Sequence, residues 1–189
     1  MALTATATRS LRRSVTGTLG MEDPIVVTVS PDKPNIIFAT ARYRSLEEIA
    51  DPIINLLKKE RTCMGRVILF CKQQEQCANF YLYMKVCLEA GFTEPPGAPD
   101  LPQYRLVDMY MSGTHTTVKE EIIQQFNSTT APLRVLIATV AFGMGVNPPD
   151  VRYILHCGPP QDVEMYVQQV GRGGRDGNTS YAILSTERD

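Results

Sequence analysis

Hydrophobic and polar positions follow two alternating periods along almost the whole chain. Short runs rich in β-branched residues predict strands, and between them apolar residues spaced three or four apart predict helices. The strand candidates are, in chain order, Ile25–Val29, Ile36–Thr40, Arg66–Cys71, Leu106–Tyr110, Arg134–Thr139, Arg152–Cys157 and Tyr181–Ser185. This alternation predicts an α/β fold, a three-layer sandwich in which a mainly parallel sheet lies between helices.

Capping residues predict where the first two helices begin and end. An apolar stripe at helical spacing stops before Gly20, and glycine is the usual residue after a helix. A second helix should begin at Asp51, with Pro52 in its first turn, and run to Glu60. Proline is tolerated in the first turn because the backbone donor that it lacks would have no partner there.

The later helices are predicted in the same way. Gln74–Ala90 is expected to form a long helix closed by Gly91, and Thr117 with Glu120 is expected to form a capping box. Asp162 can cap the last helix. The proline-rich stretch 93–105 is expected to be an exposed loop inserted within one domain, since proline fits neither a helix interior nor a central strand.

Composition is that of a folded chain with no overall attraction to nucleic acid. Hydrophobic residues make up 43% and charged residues 21% of the 189 positions. Nineteen basic residues oppose 20 acidic ones, for a net charge of -1. Any contact with a nucleic-acid backbone must therefore come from local groups of basic or polar residues.

Two classes of protein are disfavoured. The apolar runs are far shorter than the roughly 20 residues that a membrane span needs, so no membrane partner is expected. The five cysteines are odd in number and form no Cys-x-x-Cys pair, which argues against a disulfide framework and against a zinc site. Buried free thiols in a reducing compartment are the expectation.

The strongest chemical signal is the glycine- and arginine-rich segment Gln168–Gly177 (QQVGRGGRDG). Arg172 and Arg175 present rigid forks of donors that suit phosphate oxygens, and the glycines allow the backbone to approach a ligand closely. The alternative interpretation is a surface turn with two solvated arginines. A second glycine-rich turn, Thr139–Asn147, follows a predicted buried strand, where ligands bind in open α/β sheets.

Four segments together resemble the RecQ-type superfamily 2 helicases, in that family's order. Ala2–Ala7 resembles motif III, Ile68–Cys71 motif IV, Thr139–Asn147 motif V and Gln168–Gly177 motif VI. The resemblance runs from residue 2 to the end of the chain. It implies a RecA-like helicase C-terminal domain.

The resemblance also implies roles at the nucleotide. Arg172 and Arg175 would contact the γ-phosphate of ATP, bound with Mg²⁺ mainly by a partner motor domain, and Arg175 is the better candidate for the arginine finger. Gln168 would support that contact. Motif V couples nucleotide to DNA in the family, so Gly143, Gly145 and Asn147 would line the cleft between the domains.

At the DNA, the resemblance implies sequence-independent contacts to the backbone. Thr139 would lie near a phosphate, and Ser112, Gly113 and Thr114 occupy the position of another turn that grips the strand. Lys72, directly after motif IV, is a further candidate. The family usually has small polar and basic residues after this motif, whereas this chain has Lys72, Gln73 and Gln74. Phosphate contacts position a strand without reading its bases.

Parts of a complete motor are missing from the sequence. The chain has no Gly-Lys dipeptide for a Walker A motif and no Asp-Glu pair for magnesium. We therefore expect a fragment, with residues 1–20 a remnant of a first motor domain and 21–189 the C-terminal motor domain. This domain would need the first motor domain in cis or in trans, and the chain alone should not hydrolyse ATP.

Two further functions and two locations stay open. The chain could be a non-catalytic module that binds single strands or docks onto a separate motor, or it could have no activity of its own.

The family resemblance implies a 3′ to 5′ DNA helicase of recombination and repair, located in the nucleus or else the cytoplasm. The basic segment 1–21, without acidic residues, also suits a mitochondrial transit peptide, but motif III explains it better.

Overall fold

The computed structural model describes residues 8–28, 32–139, 148 and 150–187. Its main helices and strands are, in chain order, α1 (Arg9–Thr18), β1 (Ile36–Tyr43), α2 (Leu46–Glu60), β2 (Arg66–Cys71), α3 (Gln74–Leu88), β3 (Val107–Tyr110), α4 (Thr116–Asn127), β4 (Val135–Thr139), β5 (Val151–Cys157), α5 (Val163–Val170) and β6 (Ser180–Glu187). Motif III, Ala2–Ala7, lies outside the described residues.

The strands form one six-stranded sheet in the order β1-β6-β5-β2-β4-β3. Every pairing between these strands is parallel. All residues of the central strand β2 and of its neighbour β4 are buried. Strands covered on both faces read as continuous apolar runs, which explains why both were visible in the sequence.

The two faces of the sheet carry separate cores. Val67 and Leu69 of β2 point to the face covered by α2 and α3, whereas Ile68 and Phe70 point to the face covered by α4. A smaller cluster packs Val170 of α5 against Ile36 of the edge strand β1 and Ala182 of its neighbour β6. Successive strand residues face opposite sides, so one strand serves both cores. The predicted three-layer α/β sandwich is confirmed.

Two predicted helix ends are confirmed. Gly20 has a φ of 57° just beyond α1, in the left-handed region that glycine enters without strain. At the start of α5, the Asp162 side chain accepts a hydrogen bond from the Met165 backbone N–H at 2.7 Å. This bond satisfies one of the donors that a helix leaves open at its first turn.

The predicted start of the second helix is wrong. This helix, α2, begins at Leu46 rather than after Asp51, so Pro52 lies inside it. The buried stripe that includes Ile49 and Ile53 holds the helix onto the sheet and overrides the local preference of proline. Pro52 is exposed, so the carbonyl one turn earlier can be solvated.

Two other helix boundaries differ from the predictions. The helix α3 ends at Leu88, two residues before the expected end, because Glu89 takes a φ of 49° and starts a short 3-10 turn that contains Gly91. In α4 the N-cap residue is His115, so Thr117 already lies inside the helix and forms no capping box. The Thr117 hydroxyl instead lies 2.7 Å from the Nδ1 atom of His115.

The first predicted strand, Ile25–Val29, is also wrong. Residues 25–28 have no regular structure, and Val29 lies outside the described residues. Ile25 is 92% and Val27 84% exposed. A β-branched run becomes a strand only when a neighbouring strand accepts its backbone hydrogen bonds, and the sheet order assigns this run no neighbour.

The proline-rich stretch 93–105 is a loop, as predicted. An antiparallel bridge between Thr93 and Arg105 closes it, and Arg105 forms ion pairs with Asp100 and Asp108. Burial raises the pKa of the Asp108 carboxyl, although the positive charge of Arg105 opposes this shift. In the described part of the chain, no helix is long and apolar enough to cross a membrane.

A buried basic cluster joins the amino ends of the central strands. Arg66 is fully buried, pairs with Asp150 and donates to the carbonyl of Ser128. Nearby, Arg134 is 5% exposed and donates to the carbonyls of Thr62, Ala131 and Leu133 at 2.7 to 3.0 Å. Burial lowers the Arg134 pKa, and the positive charge of Arg66 lowers it further. Asp150 therefore balances two neighbouring buried cations.

We expect Asp150→Ala to lower the free energy of unfolding by about 3 kcal/mol, because it leaves Arg66 buried without its counter-charge. Urea denaturation measures this change. The double variant Arg66→Met with Asp150→Ala is the control and should recover most of the loss, since an apolar side chain needs no counter-charge. A single-variant loss below about 1 kcal/mol would contradict this role of Asp150.

Candidate functional site

The carboxyl ends of the strands bring three of the predicted DNA-contact segments to one edge of the sheet. Lys72 directly follows β2, Thr139 is the last residue of β4, and the turn Ser112–Thr114 comes just after β3. The strands β2, β4 and β3 are neighbours in the sheet. Parallel pairing therefore places these polar residues side by side, on elements that are widely separated in sequence.

Hydrogen bonds hold the turn after β3 in place. The amide of Gln74, at the start of α3, donates to the Ser112 hydroxyl at 2.8 Å. Lys119 of α4 donates to the Ser112 carbonyl at 2.7 Å. The Thr114 hydroxyl accepts from the Met111 backbone N–H at 3.3 Å. The turn is thus fixed by the helices that follow β2 and β3.

Lys72 and Thr139 differ in exposure. Thr139 is 8% exposed and is paired with Cys71 of β2. Lys72 is exposed, and its side-chain carbons pass over Gly158, where a Cβ would lie 2.5 Å from the lysine Cε. Lys72 also borders a cleft of about 540 Å³ at this edge of the sheet. Of the two, Lys72 is the group presented to solvent.

The predicted motif V residues Gly143, Gly145 and Asn147 lie outside the described residues. Their positions stay predictions from the sequence.

The arginine-rich segment lies at the other end of the strands, beside their amino ends. The helix α5 begins after the carboxyl end of β5 and leads into residues 171–177, here named the arginine loop. The Gly174 backbone N–H donates to the carbonyl of Val151, the first residue of β5, at 3.2 Å. The arginine loop and the described DNA-contact candidates Lys72, Thr139 and Ser112–Thr114 therefore lie at opposite ends of the strands.

The two arginines of the loop have different surroundings. Arg172 is 7% exposed, whereas Arg175 is exposed and makes a long contact of 3.5 Å from its Nε to the Gly171 carbonyl. Burial lowers the pKa of Arg172, and the neighbouring charge of Arg175 lowers it further. Gln168 is exposed on the last turn of α5. Arg175 is therefore the arginine that an approaching ligand can reach.

The carboxylate within the loop is already engaged. Both oxygens of Asp176 accept hydrogen bonds from the guanidinium of Arg152. The Asn178 backbone and side-chain amides add bonds at 3.2 and 2.8 Å. These bonds, led by the one from Arg152, lower the pKa of Asp176 well below its usual range. Asp176 therefore closes the loop onto β5.

Sequence reasoning missed two residues that contact the loop. Lys33 donates to the carbonyls of Gly171 and Gly173, and the amide of Asn35 donates to the carbonyls of Gly174 and Asn178. Both lie just before β1, far from the loop in sequence. No spacing pattern in the chain connects them, because the contact arises only when β1 pairs with β6.

A buried polar pair links α5 to the centre of the sheet. The Nε2 atom of His156 lies 2.8 Å from the Oε1 atom of Gln169, and both residues are at least 96% buried, with 2% and 4% exposed. The imidazole stacks on Phe70 of β2 with ring centroids 5.0 Å apart. Burial lowers the pKa of His156. The histidine thus packs α5 against β2.

Comparison with known families identifies the class. The chain matches the helicase conserved C-terminal domain over residues 48–177. The chain therefore belongs to the helicase conserved C-terminal domain family. The match includes β2, the turn after β3, β4 and the arginine loop.

Within that class the chain resembles RecQ helicases. It is 32% identical to the human protein "ATP-dependent DNA helicase Q4" over 97% of the chain, but spans 15% of that relative's length. It is 28% identical to the Pasteurella multocida "ATP-dependent DNA helicase RecQ" over 99% of the chain and 26% of that relative. These relatives confirm the resemblance to the RecQ family drawn from the motifs.

Solved structures confirm the fold. The Saccharomyces cerevisiae protein Dbp5, solved bound to RNA and ADP BeF3, superposes with a TM-score of 0.73 at 17% identity. The superposition covers 98% of this chain and 44% of that one. The fold is therefore that of RecA-like helicase C-terminal domains, as predicted.

Gly174→Ala should destabilise the arginine loop more than Gly177→Ala. Both glycines have positive φ, 59° and 82°, so each substitution strains the backbone by about 1–2 kcal/mol. At Gly174, however, the added Cβ would also lie 2.3 Å from the Asn35 Nδ2 atom, whereas at Gly177 nothing lies within 4 Å. Urea unfolding of both variants measures the difference, and equal losses would contradict the close approach of Asn35.

Proposed function

We propose that this chain is the second motor domain of a RecQ-like 3′ to 5′ DNA helicase. In this proposal it supplies an arginine finger to ATP bound on a first motor domain and provides part of the grip on the DNA backbone. The observation that carries the proposal is the arginine loop. It presents Arg175 to solvent beside the buried Arg172, while the loop's carboxylate, Asp176, is neutralised by Arg152.

The arginine loop suits a phosphate with developing negative charge. Arg175 would donate to the γ-phosphate oxygens as charge builds up during transfer, a contribution worth roughly a thousandfold or more in rate. Arg172 would add positive potential from within the loop, and Gln168 would support the contact from the last turn of α5. Mg²⁺ and most contacts to the nucleotide would belong to the first motor domain.

The carboxyl edge of the sheet suits a nucleic-acid backbone. Lys72 would supply a mobile charge, and the turn Ser112–Thr114 would supply hydroxyl and backbone donors. Thr139, the last residue of β4, would lie near a phosphate of the backbone. Such contacts hold phosphates without reading bases, so binding should not depend on sequence. The human relative is named a DNA helicase and the Dbp5 structure holds RNA; we propose DNA because the sequence resembles RecQ proteins.

A second candidate is a non-catalytic module that binds single strands or docks onto a separate motor. The observation in its favour is the absence of Gly-Lys and Asp-Glu dipeptides from the sequence, which leaves the chain without Walker A and magnesium motifs. The two candidates differ in what happens when a first motor domain is added.

We expect this chain alone to show no ATP turnover, and a mixture with a separately produced RecQ-type first motor domain and single-stranded DNA to show turnover. Arg175→Ala in the mixture should lower kcat by a thousandfold or so, because the finger acts in the transition state. A coupled phosphate-release assay measures both rates. Arg9→Ala, on the outer helix α1, is the matched control and should leave kcat unchanged.

Turnover by the chain alone would contradict the split of the active site between two domains. Failure of the mixture to turn over ATP, together with salt-sensitive DNA binding by the chain, would favour the non-catalytic module.

Lys72→Ala should weaken binding of single-stranded DNA to a similar extent for unrelated sequences. It should also reduce the slope of log affinity against log salt by about 1, since one phosphate contact is lost. Fluorescence anisotropy at several salt concentrations measures the slope. Lys59→Ala, in the exposed last turn of α2, is the control. Equal slopes for the two variants would remove Lys72 from the DNA site.

A further inference from the structure

The arginine loop is held from outside by the short segment just before β1. Lys33 Nζ lies 2.7 Å from the Gly171 carbonyl oxygen and 3.3 Å from that of Gly173. Asn35 Nδ2 lies 2.8 Å from the Gly174 carbonyl oxygen and 2.9 Å from that of Asn178. Two side chains therefore donate to four backbone carbonyls that flank and separate the two arginines.

The backbone of the same segment continues the contact. The Ser180 N–H donates to the Asn35 carbonyl at 2.9 Å, which joins the end of the loop region to the start of β1. Gly174 has a φ of 59° and approaches Asn35 so closely that a Cβ would lie 2.3 Å from its amide nitrogen. The fit leaves room for a hydrogen at position 174 and for nothing larger.

The charges around the loop show why this contact is needed. Lys33, Arg172 and Arg175 lie close enough that the charge of Arg175 lowers the pKa of both others, after burial as the larger cause. Like charges repel, so hydrogen bonds that hold the loop offset the repulsion among these three side chains. The carbonyl oxygens of Gly171 and Gly173 accept hydrogen bonds from the Lys33 ammonium group, so this lysine holds the loop although its charge repels the arginines.

We propose that Lys33 and Asn35 are positioning residues that clamp the arginine loop and so set the place of Arg175 for catalysis. This inference rests on the proposed function of Arg175. The clamp residues precede β1, on the segment by which the chain arrives from α1, and they act through the loop rather than on the nucleotide. A change in this segment would therefore alter the position of the arginine finger.

Hydrogen exchange tests the clamp in the chain itself. The backbone N–H groups of residues 172, 173, 174 and 177 donate to carbonyls within or beside the loop, so their exchange reports its opening. Lys33→Met and Asn35→Asp should each speed exchange across 171–178 about tenfold, since each removes two donated bonds. Asn35→Asp keeps the shape of the side chain and replaces its donor with an acceptor that faces two carbonyl oxygens.

Matched controls separate the clamp from general effects. Lys59→Met and Asn55→Asp change the same residue types on the exposed side of α2 and should leave exchange of the loop unchanged. Lys33→Arg should restore slow exchange, because a guanidinium can donate to both carbonyls. Exchange in β2 and β4 should stay slow in all variants, which shows that the domain remains folded.

Kinetics in the mixture with a first motor domain test the positioning role. Lys33→Met and Asn35→Asp should lower kcat about tenfold or more while the KM for ATP and the DNA affinity stay within about twofold, because a small displacement of a catalytic group affects the transition state most. Lys33→Arg should recover kcat.

Loop exchange equal to that of the controls would overturn the clamp. Fast exchange with unchanged kcat, in a mixture where Arg175→Ala abolishes turnover, would overturn the positioning role. If Arg175→Ala itself had no effect on kcat, the proposed function would fail, and the exchange rates would still decide whether Lys33 and Asn35 hold the loop.

Discussion

Parallel pairing of all six strands is the constraint on which the rest of the structure depends. Parallel neighbours must be joined by crossover connections that run back over a face of the sheet. In this chain the helices of these connections cover both faces, and β2 and β4 are completely buried. Parallel pairing also brings the ends of distant segments together at two edges. The carboxyl edge collects Lys72, Thr139 and the turn after β3, whereas the amino edge collects the arginine loop and the segment before β1. The separation of the two proposed sites follows from this geometry.

Electrostatics at the amino edge depends on how each charge is compensated. The carboxylate of Asp176 is held by Arg152 and does not approach Arg175 as a counter-charge in the described contacts. Lys33 donates hydrogen bonds to the carbonyl oxygens of Gly171 and Gly173. The buried pair of Arg66 and Arg134, by contrast, shares Asp150 and serves the interior of the fold. Basic side chains thus have different roles in this domain: Arg152 and Lys33 hold the arginine loop, whereas Arg66 and Arg134 stabilise the interior. Their hydrogen-bond partners distinguish these roles, since all four carry a positive charge.

Much of the fold could be predicted from the sequence, because central strands are read directly from apolar runs. Predictions failed where tertiary contacts overrode a local preference: Pro52 lies inside α2 because the buried stripe of that helix holds it, and Ile25–Val29 lacks a neighbouring strand. The candidate site was predictable as motifs, including Arg172 and Arg175. The contacts of Lys33, Asn35 and Arg152 with the loop were not, because they join residues more than 20 positions apart through strand pairing. Residues 140–147, with most of motif V, lie outside the described part of the chain.

The most direct test of the account is a structure of this chain in complex with a RecQ-type first motor domain, single-stranded DNA and ADP with beryllium fluoride as a mimic of the γ-phosphate. The account predicts that the Arg175 guanidinium lies within hydrogen-bond distance of the fluoride atoms, with Lys33 and Asn35 still bound to the loop carbonyls and the DNA backbone at the carboxyl edge of the sheet. A complex in which the nucleotide is bound and closed between the domains while the arginine loop faces solvent would contradict it.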